Sequence, residues 1–370
     1  ETLEAYYTVL PDGTGRRVAE QGDSPASGFA IRRKIYFRLL GLHGAADGGW
    51  VALPVNQPAL NDTLTTAFDK IDLYMAALTT ATAGSYSFVV TYQEVGDDLL
   101  DNYSGATAAY GLRRLRAAYT GNAIEVTNGS TTQDIGFDSN GDLNQSALET
   151  YASGAEVKVS KGYDQANSNN LAQTSDAARP TITDSSGNML TLNGKPAMKL
   201  AGAQSLPAAS NFNANVNVNE LVAAWVGSVN QLTAGNNMVS HWASSTGSQV
   251  FQIQFTASND NLRWQTRYSN GTLSTADNGS AITNGAQYIV VGRSLNGTQE
   301  ARFDNSNVVG SPPSVAVNDA ATTFRVGARS DNSAGAHTGF TQEVVVFSRS
   351  TAQDDHETIA DKINEYYSSF

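Results

Sequence analysis

Between residues 180 and 349 the sequence is a succession of short apolar/polar alternations, each closed by a turn signal. That pattern leaves little room for anything but stacked antiparallel sheets. Phe251, Ile253 and Phe255 alternate with Gln252 and Gln254, and Leu262 and Trp264 alternate with Arg263 and Gln265. Further strand-like runs begin at Tyr288, Ala301, Phe324 and Val344. Asn270-Gly271, Asn278-Gly279, Asn284-Gly285 and Asn296-Gly297 punctuate them. Asn-Gly adopts the positive φ angles that two-residue hairpins demand. Regular short strands with such turns predict a two-layered sandwich or jelly roll, with Trp225 and Trp264 in its core.

The remainder of the chain is mixed. Leu64, Phe68, Ile71, Met75 and Leu78 are spaced four, three, four, three, which predicts a helix over residues 61–80. The same residues make a short heptad seam, so the helix either packs on its own sheet or meets copies of itself on a symmetry axis. Tyr86, Phe88, Val90 and Tyr92 read as one face of a strand. So does the apolar series around Arg32, Arg33, Lys34 and Arg38, whose charges flank a core face. Ala106, Ala109, Leu112, Leu115 and Ala118 predict a second helix over 104–119, and a third is expected over 144–152. Ile359, Ile363 and Tyr366 mark a closing helix. The expected fold is therefore mainly β: a jelly-roll β-sandwich with a few short helices, preceded by a small α+β N-terminal domain. The boundaries are residues 1–102 for an attachment or oligomerisation domain and 103–370 for the sandwich. The latter includes a helical lead-in over 103–179 and a C-terminal helix over 351–367.

Composition narrows the function. The chain carries 35 acidic against 23 basic residues, a net charge of -12. Phosphate backbones attract the opposite sign, so a nucleic-acid partner is not expected. No apolar run is long enough to insert in a membrane. The absence of Cys removes disulfides, thiolate metal sites and Cys nucleophiles together. His43, His241, His337 and His356 are the only histidines and none pairs at metal-ligand spacing; His241 and His337 read as polar loop residues beside strands. Phosphate-loop, dinucleotide, nucleophile-elbow and zinc-protease motifs are all missing. Asp138, Asn140, Asp142 and Glu149 approximate the oxygen spacing of a calcium loop. Leu143 occupies the position where that loop needs Gly, so a turn leading into a helix is the preferred reading and no cofactor is expected.

Several blocks resemble a known family. They are Tyr103-Ser104-Gly105-Ala106 with Tyr110-Gly111-Leu112-Arg113-Arg114-Leu115-Arg116, then Ile135 through Leu143, Gly162 through Asn169, Ala178 through Ile182, Asn193 through Ala197, and Gly339 through Arg349. Together they are similar to the laminin-G-like, concanavalin A-like jelly rolls of bacteriophage virion proteins, over about residues 103–370. They are more distantly similar to the catalytic sandwich of fungal-type α-L-arabinofuranosidases. The second resemblance implies an acid/base Asp at Asp331 and a nucleophilic Glu near Trp242. No Glu lies between Glu220 and Glu300, so the double displacement lacks its second carboxyl group.

The resulting expectation is a non-enzymatic component of a tailed phage particle: a tail, fibre or capsid appendage with the sandwich facing outward. Its partners would be other virion proteins and copies of itself, a trimer being favoured, and host-surface glycan. The alternatives are a secreted or surface carbohydrate-binding module and an arabinofuranosidase-like glycoside hydrolase. Trp242 and Tyr268, which border loops, are the candidate glycan contacts, together with Asp331, a turn or rim residue, and Asn332.

Overall fold

The computed structural model describes residues 98–370 except 209–219, 234, 259, 296, 319–321, 332–334, 350–352 and 354; before residue 98 it describes the backbone of four strands. The chain divides into two compact units, Glu1–Asp97 and Asp98–Phe370. In the first, β1 (Thr2–Val9), β2 (Gly15–Glu20), β3 (Arg33–Leu39) and β4 (Ser85–Glu94) form an antiparallel sheet of order β2-β1-β4-β3. The basic series over 33–39 and the aromatic series over 86–92 are therefore strands, as their alternation predicts. The expected helix with Leu64, Phe68, Ile71, Met75 and Leu78 lies outside the described residues, as does Asn332.

The second unit is a β-sandwich. It opens with α1 (Leu99–Asn102), β5 (Ala106–Gly111), β6 (Ile124–Thr127), β7 (Thr132–Ile135), α2 (Gln145–Ala152), β8 (Lys158–Gly162), β9 (Leu171–Ala172), β10 (Thr191–Leu192) and β11 (Lys195–Pro196). It continues with β12 (Met198–Ala201), β13 (Leu206–Pro207), β14 (Glu220–Val229), β15 (Asn236–Trp242), β16 (Gln249–Thr256), β17 (Asn261–Arg267) and β18 (Leu273–Asp277). The last elements are β19 (Gln287–Leu295), β20 (Thr298–Phe303), β21 (Ser306–Val309), β22 (Arg325–Val326), β23 (Thr338–Arg349) and α3 (His356–Tyr367). One sheet has seven strands, in the order β12-β23-β14-β19-β20-β21 with β5 also on β23; the other has six, in the order β13-β22-β15-β16-β17-β18. A smaller antiparallel sheet, β7-β6-β8-β9, stands beside them. Among the described residues no helix is long and apolar enough to cross a membrane.

The two large sheets close on one core. Trp225, Val290, Val344 and Val346 from the seven-stranded sheet meet Phe251, Ile253, Phe255 and Trp264 from the six-stranded one. The opposite face of the seven-stranded sheet is also covered. Val222, Val226, Ile289, Val291, Val345 and Phe347 pack on Ile359, Ala360, Ile363 and Tyr367 of α3 and on Leu99 and Leu100 of α1. This sheet is thus buried on both sides, and its central strand β14 is buried at every residue. Among the described residues no second apolar cluster covers the six-stranded sheet, and its other face carries polar residues of β16 and β17.

Two expectations are corrected. Residues 106–111 form strand β5 rather than a helix. Ala108 and Tyr110 enter one core and Ala109 the other, so pairing with β23 overrides the helical preference of alanine. His241 lies in strand β15 rather than a loop, and both it and His337, directly before β23, are fully buried. His241 packs edge-on against Phe251 and His337 edge-on against Trp225.

Gly292 in β19 is where the core is tightest: a Cβ there would fall 2.1 Å from the Trp264 ring. Gly292→Ala is expected to destabilise the sandwich by about 1–3 kcal/mol, as overpacked cores do. Thermal unfolding checks this; an unchanged melting temperature would show that Trp264 can move aside.

Candidate functional site

The polar face of the six-stranded sheet is set by register. Because strand side chains alternate, the residues out of phase with Phe251, Ile253, Phe255 and Trp264 point away from the core. Across three strands they line up in two rows. Ser240 stands opposite Gln252, which stands opposite Gln265; Asn237 stands opposite Gln254, which stands opposite Arg263. Gln252 Nε2 donates to Gln265 Oε1, and Gln254 Nε2 donates to the same oxygen at 3.2 Å. Arg263 closes on Asp277 through Nε at 2.6 Å and Nη2 at 2.8 Å.

At one end of these rows lies a cavity of about 310 Å³ lined by Asn237, Trp242, Gln252, Gln254, Arg329 and two glycines, Gly235 and Gly335. Gly335 has φ +66°, and a Cβ on it would fall 2.0 Å from Asn237 Nδ2, so glycine here keeps the wall thin. The segment carrying Arg329 is tied to the end of β15. Trp242 N donates to Ser330 Oγ at 2.5 Å, Ser330 N donates to Trp242 O at 3.1 Å, and Ser244 N donates to Asp331 Oδ2 at 2.6 Å. Arg267 lies over the Trp242 ring, 5.4 Å from its centroid, and leaves only 5% of that residue exposed.

The lining has unmet hydrogen-bonding capacity. Asn237 Oδ1, Gln252 Oε1 and Arg329 Nε are buried and have no hydrogen-bond partner within the protein. Two are acceptors and one is a donor. Buried polar atoms without partners cost about 1–3 kcal/mol each, a cost that a ligand or water in the cavity would relieve.

The sequence candidates distribute unevenly over this geometry. Trp242 lines the cavity and Asp331 sits beside it, with Oδ1 3.8 Å from Arg329 Nε. Tyr268 was expected at a loop rim, but it is fully buried and belongs to the main core, where its ring cannot meet a ligand. Asp138 Oδ1 accepts from the backbone N–H groups of Asn140 and Asp142 at 2.8 and 3.0 Å. Asp142 accepts from the Tyr366 hydroxyl, and Glu149 Oε1 accepts from Gln145 Nε2 at 2.8 Å and Met189 N at 3.1 Å. These oxygens hold a turn and the start of α2. Among the described residues no group of three or more His, Asp or Glu side chains is arranged to hold a metal.

Sequence reasoning missed Asn237, Gln252, Gln254 and Arg329. The signal lay in the polar phase of the alternation. There β16 and β17 place Gln252, Gln254 and Gln265 together.

No family model matches the sequence, and no curated protein matches it. Among solved structures, the chain is similar to an arabinofuranosidase complexed with arabinofuranosyl-α-1,2-xylobiose, at 15% identity over 70% of this chain and 62% of that one, with a TM-score of 0.48. An α-L-arabinofuranosidase soaked with a cyclic sulfate inhibitor gives the same identity and coverage with a TM-score of 0.44. Domain 4 of an extracellular arabinanase from Geobacillus stearothermophilus, in complex with arabinotriose, gives 14% identity over 48% of this chain and 84% of that one, with a TM-score of 0.34. The chain spans 62% of the length of either arabinofuranosidase.

Proposed function

We propose that the sandwich is a non-catalytic carbohydrate-binding domain whose ligand sits in the cavity over Gln252, Gln254 and Trp242. The observation that carries this reading is the set of buried, partnerless polar atoms at Asn237, Gln252 and Arg329 in the cavity wall. A sugar hydroxyl both donates and accepts, so neighbouring hydroxyls answer two acceptors and a donor at once. The Trp242 edge adds an apolar contact, as sugar sites require.

Among the described residues the cavity wall carries no carboxylate, which supports holding rather than cleaving. A retaining glycosidase needs two carboxyl groups about 5–5.5 Å apart. Asp331 is the acid nearest in sequence to the wall residues, and its Oδ2 is engaged by Ser244 N.

A glycan array should show saturable binding, weakened at least about tenfold by Gln252→Leu, a change worth about 1.4 kcal/mol. A blank array would overturn the proposal. Arabinofuranoside and pyranoside reporters should remain intact; turnover abolished by Asp331→Asn would overturn its non-catalytic part.

The resemblance read in the sequence supports a place for this domain on a tailed phage particle. There the first unit would attach to other virion proteins and the sandwich would face outward, in symmetric copies. Imaging of purified particles should find such copies, and recovery only as a free, secreted monomer would count against it.

A further inference from the structure

We propose that the sugar taken by this cavity is acidic, and that Arg329 receives its carboxylate. The inference rests on the glycan-binding reading above and adds the ligand's charge.

The argument is one of local charge. Arg263 on the same face is matched by Asp277, as described, but its neighbours are not matched in this way. Arg267 spends its donors on neutral oxygens: Nε reaches Gln249 Oε1 at 2.9 Å and Nη1 reaches Gly271 O at 2.8 Å. Arg325 does the same, with Nη1 on Ser205 Oγ at 2.9 Å and Nη2 towards Ser330 O at 3.4 Å, while its buried Nε has no partner. Arg329 Nε, in the cavity wall, also has none; Asp331 Oδ1 at 3.8 Å is too far for a hydrogen bond. Among the described residues, Arg329 in the wall, with Arg267 and Arg325 beside it, stands near one carboxylate, Asp331, on a chain whose net charge is -12. Partly buried cations resting on neutral groups are costly until an anion arrives. Burial lowers the affinity of the Arg267 and Arg325 side chains for their protons, which is the same cost seen from the proton's side.

A guanidinium offers parallel N–H groups that match a planar carboxylate, and it keeps its charge at any working pH. The amides of Asn237 and Gln252 then remain for the ring hydroxyls. A uronic acid or another carboxylated sugar satisfies both halves of the site, whereas a neutral sugar offers Arg329 a hydroxyl but no opposite charge.

The test is calorimetry of the full chain with matched pairs: trigalacturonate against its carboxyl-reduced form, and a glucuronate disaccharide against its reduced form. A galactoside sulfated at one hydroxyl serves as a third arm. Wild type should bind one acidic member at least about tenfold more tightly than its neutral match. Arg329→Gln should abolish that ratio, and Arg329→Lys should restore part of it. An unchanged melting temperature for both variants separates lost recognition from lost folding. Equal affinity for both members of each pair overturns the inference and leaves the glycan-binding reading standing. Preference for the sulfated sugar alone overturns the carboxylate assignment. A blank response to all arms, with a blank array, overturns both.

Discussion

Arg113→Ala should cost the sandwich about 3–5 kcal/mol, because it strands a buried carboxylate. Arg113 Nε donates to Glu343 Oε2 at 2.7 Å and Nη2 donates to Oε1 at 3.2 Å; Glu343 is 1% exposed. Burial alone would weaken the hold of Arg113 on its proton, but the Glu343 carboxylate more than offsets this, and the net shift is upward. Tyr366 and Tyr367 of α3 enclose the guanidinium, 4.6 and 5.5 Å from its carbon to their ring centroids. The Tyr367 hydroxyl donates to Glu343 Oε2 at 3.1 Å. Removing Arg113 would leave Glu343 with that hydroxyl and loosen the helix covering the seven-stranded sheet. Domains of this kind hold only about 5–15 kcal/mol in total, so the variant should unfold at much lower urea. Arg114→Ala is the control. Arg114 Nε reaches Asp98 Oδ2 at 3.3 Å with both side chains partly exposed, a pairing worth about 0–1 kcal/mol. Equal urea midpoints for the two variants would show that the buried pair contributes no more than a surface one.

The second large effect is acid lability. Burial pushes the pKa of His241 and of His337 down to about 4 from an ordinary value near 6.5. Between those values the unfolded chain takes up protons that the folded chain refuses. Stability is then complete above about pH 6.5 and falls as the pH drops toward 4, by up to roughly 3 kcal/mol for each histidine. Asp304 opposes this. Burial raises its pKa to about 6, although its Oδ1 accepts from Ile289 N at 2.8 Å. The folded state therefore binds the extra proton there, and stability rises as pH falls from about 6 toward 4. Its partial exposure limits this contribution to roughly 1–2 kcal/mol. The net expectation is a urea midpoint that declines from pH 7 to pH 4.5, more steeply in Asp304→Asn. A flat profile would mean that water reaches the histidines.

Much of the sandwich was legible because its cause is local. Phe251, Ile253 and Phe255 can share a core only if the chain is extended, and Asn270-Gly271 can bend it only one way. Residues 106–111 were not legible, since Ala-Thr-Ala-Ala favours a helix in isolation and becomes a strand only because β23 offers an edge between two apolar layers. His241 and Tyr268 failed for a related reason: both border turns in sequence, and only the folded chain shows that the core extends to those turns. The site was half visible. Trp242 and Asp331 stood out as residue types, whereas Asn237, Gln252, Gln254 and Arg329 acquire meaning from cross-strand register and from a loop returning about 90 residues later, the scale of the Ser240 to Ser330 contact.

Within the sandwich, Trp264 Nε1 donates to Ser294 Oγ at 3.0 Å, Thr266 Oγ1 shares a 2.7 Å hydrogen bond with that oxygen, and Ser274 Oγ donates to Gln299 Oε1. These bonds run from one sheet to the other through the interior. Purely greasy layers can slide by a residue and still stay dry, but pegs of this kind fit at a single offset. The polar rows of β16 and β17 are thereby indexed to the helix-backed sheet behind them, like a dial fixed to its casing.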